Sequence, residues 1–94
     1  MADKLYRVQI GALHCYDVYD SAIIQCESKE VLEQLIESKA FTDSFTNDNI
    51  DSSRCQFHIA SYQKLEAIEY VGDAVIPRKD GKVAMILCSS FNAG

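Results

Sequence analysis

The stretch Ser28-Lys29-Glu30-Val31-Leu32-Glu33-Gln34-Leu35-Ile36-Glu37-Ser38-Lys39-Ala40 decides the fold class. Val31, Leu32, Leu35, Ile36 and Ala40 recur at helical spacing on one face. Lys29, Glu30, Glu33, Glu37 and Ser38 lie mainly on the other. Ser28 is placed as an N-cap, because its hydroxyl can accept a hydrogen bond from an orphan amide of the first turn. Glu30 near the start and Lys39 near the end both suit the helix dipole. The sequence therefore predicts one amphipathic helix over 28–40.

On both sides of this helix the apolar period falls to two. Upstream, Tyr6, Val8, Ile10 and Ala12 alternate with Leu5, Arg7, Gln9 and Gly11, which predicts a strand from Leu5 to Leu13. Ala22, Ile24 and Cys26 predict a second strand over Ser21–Cys26. The two form a hairpin with His14 to Asp20 near its tip. Downstream, Cys55, Phe57 and Ile59 alternate with Gln56 and His58, which predicts a third strand over Cys55–Ala60. Residues Ser61 to Val71 read either as a helix or as a short turn around Tyr62–Lys64 followed by a strand. The turn and strand are the preferred reading.

Asp80-Gly81 carries the signature of a two-residue hairpin turn. It joins a strand near Ala74–Arg78 to one over Lys82–Ser89. Pro77 cannot donate to a ladder, which assigns its strand to a sheet edge. The unbroken apolar run Val83 to Cys88 suits a central strand covered on both faces. Between the helix and the third strand, Thr42 to Ser53 is a long polar loop. Phe45 and Ile50 are its apolar members and the candidates for pinning it to the core. The expected architecture is a single α+β domain over residues 1–94, a small antiparallel sheet of four to five strands with one main helix, in a ββαββ-like order.

Composition supports a folded, water-facing chain. Apolar residues make up 48% and charged residues 24% of the 94 residues, an ordinary globular balance. The longest apolar run is six residues, too short to cross a bilayer, and no secretory leader pattern opens the sequence. The expected location is the cytoplasm, with no membrane association. Cys15, Cys26, Cys55 and Cys88 are scattered through apolar or alternating segments, which suits free, buried thiols in a reducing compartment. Asp and Glu outnumber Lys and Arg by 14 to 9, for a net charge of −5. That balance argues against direct nucleic-acid binding, which draws on a basic stripe. It favours instead a protein partner with a basic surface.

No catalytic or metal-binding set emerges. His14-Cys15 and Cys55-x-x-His58 are the closest approaches to ligand or nucleophile–base pairs. Strand alternation sends the members of each pair apart, so neither serves zinc nor thiol chemistry. Asn47-Asp48-Asn49-Ile50-Asp51 imitates the start of a calcium loop, but Ser52 stands where Gly is needed and His58 where Glu is needed. Glu66 and Glu69 show no argued acid–base pairing. The chain is expected to be non-enzymatic and to use no cofactor.

The candidate binding residues lie in two segments. Tyr16-Asp17-Val18-Tyr19-Asp20 repeats an aromatic followed by an acid near the hairpin tip. Tyr offers large contact area at low entropic cost, so Tyr16, Asp17, Tyr19 and Asp20 are candidate partner contacts. In the polar loop, Asp43, Asp48 and Asp51 are candidates for steering a basic surface. The alternative expectation is a small-molecule-binding domain, or a homo-oligomeric subunit with a pocket between protomers.

Two resemblances bear on this. Leu5-Tyr6-Arg7-Val8-Gln9-Ile10-Gly11-Ala12 resembles the opening strand of the SPOR peptidoglycan-binding family. In that family a helix follows the strand directly, whereas here a Tyr/Asp segment and a second strand intervene, so the family does not fit. The short acidic chain, the helix at Ser28–Ala40 and the ending from Ile68-Glu69-Tyr70-Val71-Gly72-Asp73-Ala74 through Ser90-Phe91-Asn92-Ala93-Gly94 are similar in style to small phage and prophage accessory proteins, anti-CRISPR inhibitors among them. That resemblance implies inhibition by binding and blocking a host complex, without catalysis. It carries over no individual functional residue.

Overall fold

The computed structural model describes residues 3–11, 18–42, 48–60 and 63–92. Its elements are β1 (Lys4–Ile10), β2 (Val18–Cys26), α1 (Lys29–Glu37), β3 (Ile50–Asp51), β4 (Leu65–Asp73) and β5 (Ala84–Asn92). All five strands join one sheet in the order β3-β5-β2-β1-β4. The Cα radius of gyration, 12.4 Å, matches the roughly 12 Å of a compact chain of this length. Among the described residues no helix is long and apolar enough to cross a membrane.

The helix forms as its sequence dictates. Ser28 Oγ accepts from the Val31 amide at 3.3 Å, and Leu32 anchors the apolar face in full burial. Its C-terminus closes with Ala40 N–H donating to the Leu35 carbonyl and Lys39 N–H to that of Ile36. This is the Schellman pattern, which places the residue after the cap in the left-handed region. That residue is Lys39, with φ 63°. The chain accepts this conformation without a glycine, and the next two residues, Ala40 and Phe41, turn into the core.

β1 and β2 pair antiparallel, with Tyr6 opposite Ile24 and Val8 opposite Ala22. These side chains face α1 and form the core with Ile10, Cys26, Leu32, Phe41, Ile50, Phe57, Ala84 and Ile86. β5 lies between β3 and β2, and Ala84, Met85 and Ile86 are buried as its apolar run predicts, but Val83 and Leu87 are half-buried and Cys88, expected to be a covered thiol, is exposed. The strand half of the turn-then-strand reading also matches, while Ser61 and Tyr62 lie outside the described residues. Gln63 N–H donates to the Ala60 carbonyl, and β4 follows from Leu65.

Three expectations are overturned. The sheet is mixed, because β3 runs parallel to β5, with Ile50 opposite Ala84. Ile50 thus pins the polar loop as expected, but by joining the sheet. Phe45 lies outside the described residues.

Residues Cys55–Ala60 form no strand. They cross the helix-bearing face of the sheet and bury Phe57 there. Their polar groups find partners outside any ladder. Ile59 N–H donates to the Phe41 carbonyl, Ala60 N–H to Gln63 Oε1, and the Gln56 carbonyl accepts from Ser89 Oγ. Alternation reported one buried face correctly, but a covering segment shows the same alternation as a strand.

Residues Ala74–Arg78 are no strand either, and Asp80-Gly81 is not a hairpin tip. β4 and β5 are separated by β1 and β2, so the connection must traverse the end of the sheet. Gly81 has φ +82° and Asp80 has a negative φ, and Lys82 N–H donates to the Lys79 carbonyl. Positive φ at the third position alone is the type II pattern, whereas a type I′ hairpin needs it at both central residues.

The connection is held by a buried clamp. Asp3 Oδ2 accepts from Arg78 Nε at 2.7 Å and from Gln25 Nε2 at 3.1 Å. Gln25 Nε2 also donates to the Ile76 carbonyl, and Arg78 Nη1 to the carbonyls of Lys82 and Val83. Gln25 is paired with Leu5 on the face opposite the helix, and the connection is what buries it there.

Candidate functional site

The described residues of the two loops singled out in the sequence do not converge. Tyr19 pairs with Phe91 near the end of β5, while Asp51 pairs with Met85 near its start. Six residues of strand separate these levels, about 20 Å at the usual strand rise. Tyr16, Asp17 and Asp43 lie outside the described residues.

Tyr19 is turned toward the core side by a bulge at Asp20, where β2 holds one more residue than β5 opposite. Its ring meets Phe57, His58 and Phe91 edge-on at centroid distances of 5.7, 5.0 and 5.0 Å. Its carbonyl accepts from Gln63 Nε2. Tyr19 thus ties the crossing segment to the sheet. Asp20 is half-buried beside Ser21. Asp48 is exposed, and its carbonyl accepts from Lys82 Nζ.

Asp51 is buried, and its Oδ1 accepts from the hydroxyl and amide of Ser53 at 2.6 and 3.0 Å. Those two bonds hold the carboxyl below its usual pKa, helped by Lys79 and Lys82 and opposed by burial. That oxygen is thereby committed to closing a turn. Among the described residues no group of three or more His, Cys, Asp or Glu side chains is placed to hold a metal ion. Cys55 contacts Ser89 Oγ at 2.9 Å. Cys26 is fully buried, and burial pushes its thiol up to about 11.

The accessible apolar surface lies elsewhere. Leu65 (41% exposed), Tyr70 (57%), Val71 (50%), Val75 (96%) and Ile76 (38%), five of the six exposed large apolar side chains among the described residues, fall within 65–76, on β4 and the start of the connection; the sixth, Phe91, lies beside Tyr19. β4 is a sheet edge, hydrogen-bonded only to β1. Its ladder is interrupted by extra residues at Glu66 and Val71, and Glu66, Glu69 and Asp73 stand exposed along it. Bulges and charges of this kind protect an edge from regular pairing with another strand.

Between β4 and α1 runs a groove. Leu65 forms its floor at one end beside Ile36, with Glu33 and Glu37 on the helix side. It continues into a cleft of about 210 Å³ bounded by Ile36, Lys39, Phe41, Ile59 and Leu65. Farther along the same face of β4, Tyr70 meets Tyr6 edge-on at 6.1 Å, with Lys4 Nζ 5.9 Å from the Tyr70 ring centroid. Burial, then the charges of Cys26 and Glu30, raise the Tyr6 hydroxyl above its usual value. A separate, polar recess of about 450 Å³ lies along the connection, bounded by Asp3 and residues 74–82.

Sequence reasoning missed this surface for identifiable reasons. The segment that supplies Leu65, Ile68 and Tyr70 was the ambiguous one, and the helix glutamates read as an ordinary solvated face. A sustained apolar content on a strand that must lie at an edge is the signal that could have found it.

No protein-family model matches the chain, and neither the curated proteins nor the solved structures contain a match.

Proposed function

We propose that this chain is a non-enzymatic protein-binding module that acts by occupying a basic surface on a macromolecular partner. The observation that carries this reading is the exposure of five large apolar side chains, Leu65, Tyr70, Val71, Val75 and Ile76, along β4 and the start of the connection, near Glu66, Asp73 and the Arg7–Glu69 ion pair. Exposed apolar residues gathered in one region and bordered by charge mark interaction surfaces. The net charge of −5 adds a long-range preference for a basic partner. The scattered thiols, the internally satisfied Asp51 and the packed Tyr19 leave chemistry with no assembled residue set among the described residues. Blocking of a host complex by a phage-type inhibitor is the biological form of this activity that the sequence resemblance suggests.

The test is affinity capture from a bacterial lysate with the immobilised protein beside a Val71→Ser/Val75→Ser variant. Both residues are exposed, so the variant keeps its fold. The reading predicts a stoichiometric partner retained by the parent protein, released by salt and depleted on the variant. Equal capture by both proteins would place the binding surface elsewhere, and no stoichiometric partner would remove the reading.

A further inference from the structure

The groove between α1 and β4 has a shape and a charge pattern that specify its occupant more narrowly than a basic surface. Resting on the binding-module reading, we propose that this groove receives a basic amphipathic helix of the partner, laid alongside α1 over β4.

The floor supplies the apolar half of the argument. Leu65, Ile68 and Tyr70 project from the same side of β4 as the core, because they pair with Ile10, Val8 and Tyr6. Those three β1 residues are buried, whereas Leu65 and Tyr70 remain exposed and Ile68 half-buried. One nine-residue helix covers this face of the sheet, and the crossing segment 55–60 covers more of it, but neither reaches across β4. From Leu65 to Tyr70, with its extra residue at Glu66, the strand keeps pace with Ile10 to Tyr6 of β1, about 13 Å. A helix rises about 1.5 Å per residue, so roughly nine residues, or two and a half turns, span that floor. Apolar residues at i, i+3 or i+4, and i+7 would meet it.

The helix side supplies the charge. Glu30, Glu33 and Glu37 are exposed and fall at i, i+3 and i+7 on one stripe of α1. Glu33 and Glu37 border the groove directly, and Glu30 continues their stripe one turn toward the helix N-terminus. An incoming helix with Lys or Arg once per turn along one flank would place those cations against this rail. Lys4 and Lys39 stand at the two ends and favour neutral or acidic residues at the occupant's termini.

Two other occupants fit less well. A strand added to the edge of β4 meets bulges at Glu66 and Val71, which leave 67–70 as the unbroken register. A second copy of this chain brings the same acidic rail and another charge of −5.

The test uses a synthetic Leu/Lys peptide of roughly fifteen residues, long enough to hold a helix, with one apolar stripe. A peptide of identical composition with its leucines scattered is the control. Amide shifts of the full-length protein are followed by NMR during titration. Saturable shifts confined to 30–40 and 63–71, at least tenfold weaker for the scattered peptide, support the proposal. So does a loss of at least tenfold in affinity in Glu30→Gln/Glu33→Gln/Glu37→Gln, whose exposed positions spare the fold. Shifts spread over the molecule, equal binding of both peptides, or unchanged affinity in the triple variant overturn it. A natural partner captured in stoichiometric amount but indifferent to the triple variant would overturn the groove assignment while leaving the binding-module reading standing. Docking of the striped peptide in the groove without any captured partner would have the opposite effect.

Discussion

Replacing Arg78 with Met removes the cation that holds the 74–83 connection against the sheet while keeping most of the side chain's bulk. Asp3 is left with a side chain 9% exposed and one remaining donor, Gln25, which already shares its amide with the Ile76 carbonyl. Breaking a buried ion pair by removing one member typically costs about 3–5 kcal/mol. Arg78 keeps 27% of its side chain in contact with water, and Gln25 still serves the carboxylate, so the expected cost is about 2–3 kcal/mol. A domain of this size is stable by roughly 5–14 kcal/mol in total. The midpoint of thermal unfolding should therefore fall by about 8–20 °C. Urea unfolding followed by circular dichroism should show a lower midpoint at an unchanged slope.

Asp3→Asn supplies the second arm of a double-mutant cycle, with an expected coupling of about 1–2 kcal/mol. The pH dependence carries its own sign. Burial raises the Asp3 carboxyl, but the bonds from Arg78 and Gln25 and the Arg78 charge outweigh it, so its folded pKa lies below the unfolded value of 3.8. Its contribution is fully present above that value and is lost as the pH falls through the depressed folded pKa. In Arg78→Met this acid-dependent loss should shrink or vanish, because the folded carboxyl is no longer held below its unfolded value by the Arg78 bond and charge. A variant within about 0.5 kcal/mol of the parent, or strictly additive effects in the cycle, would refute the clamp.

Other outcomes follow from the packing. Lys39→Gly should stabilise the protein by about 1 kcal/mol in urea unfolding, because glycine takes φ 63° without the steric cost borne by lysine. Phe57→Ala should cost about 3–5 kcal/mol, since the ring is fully buried between Tyr19 and Phe41, yet leave the strand signal in circular dichroism unchanged in the folded protein. In a Cys15→Ser background at pH 8, a thiol reagent should modify exposed Cys88 first. It should reach Cys26, buried and pushed up to about 11, only on unfolding.

The local signals of this sequence were legible where a single contact decides them. Ser28, the apolar stripe of the helix and the β1–β2 alternation each act over a few residues, and each formed as read. What resisted reading depends on contacts distant in sequence. Cys55–Ala60 alternates like a strand, yet its carbonyls and amides are taken by Phe41, Gln63 and Ser89 rather than by a ladder. Asp80-Gly81 has hairpin composition, but the strands it would join are held apart by β1 and β2, a topological fact absent from the dipeptide. Asp3 and Arg78, 75 residues apart, carry no local mark of their pairing.

The binding surface illustrates the same limit. Tyr19 and Asp51 look like contact residues by composition, but a bulge and an Asx turn commit both to the fold. Leu65 and Tyr70 look like core residues by composition and are left exposed because β4 is an edge strand that, among the described residues, pairs with β1 alone. Which apolar residues remain in contact with water is set by strand order, and strand order is not a local property.

The most direct test of the central claim is titration calorimetry of the full-length protein with the partner obtained by capture, at low and at high salt. The account predicts one-to-one binding whose affinity falls as the Debye length shrinks and falls further when Glu30, Glu33 and Glu37 are replaced by Gln. Binding that is indifferent to salt and to those substitutions would contradict it.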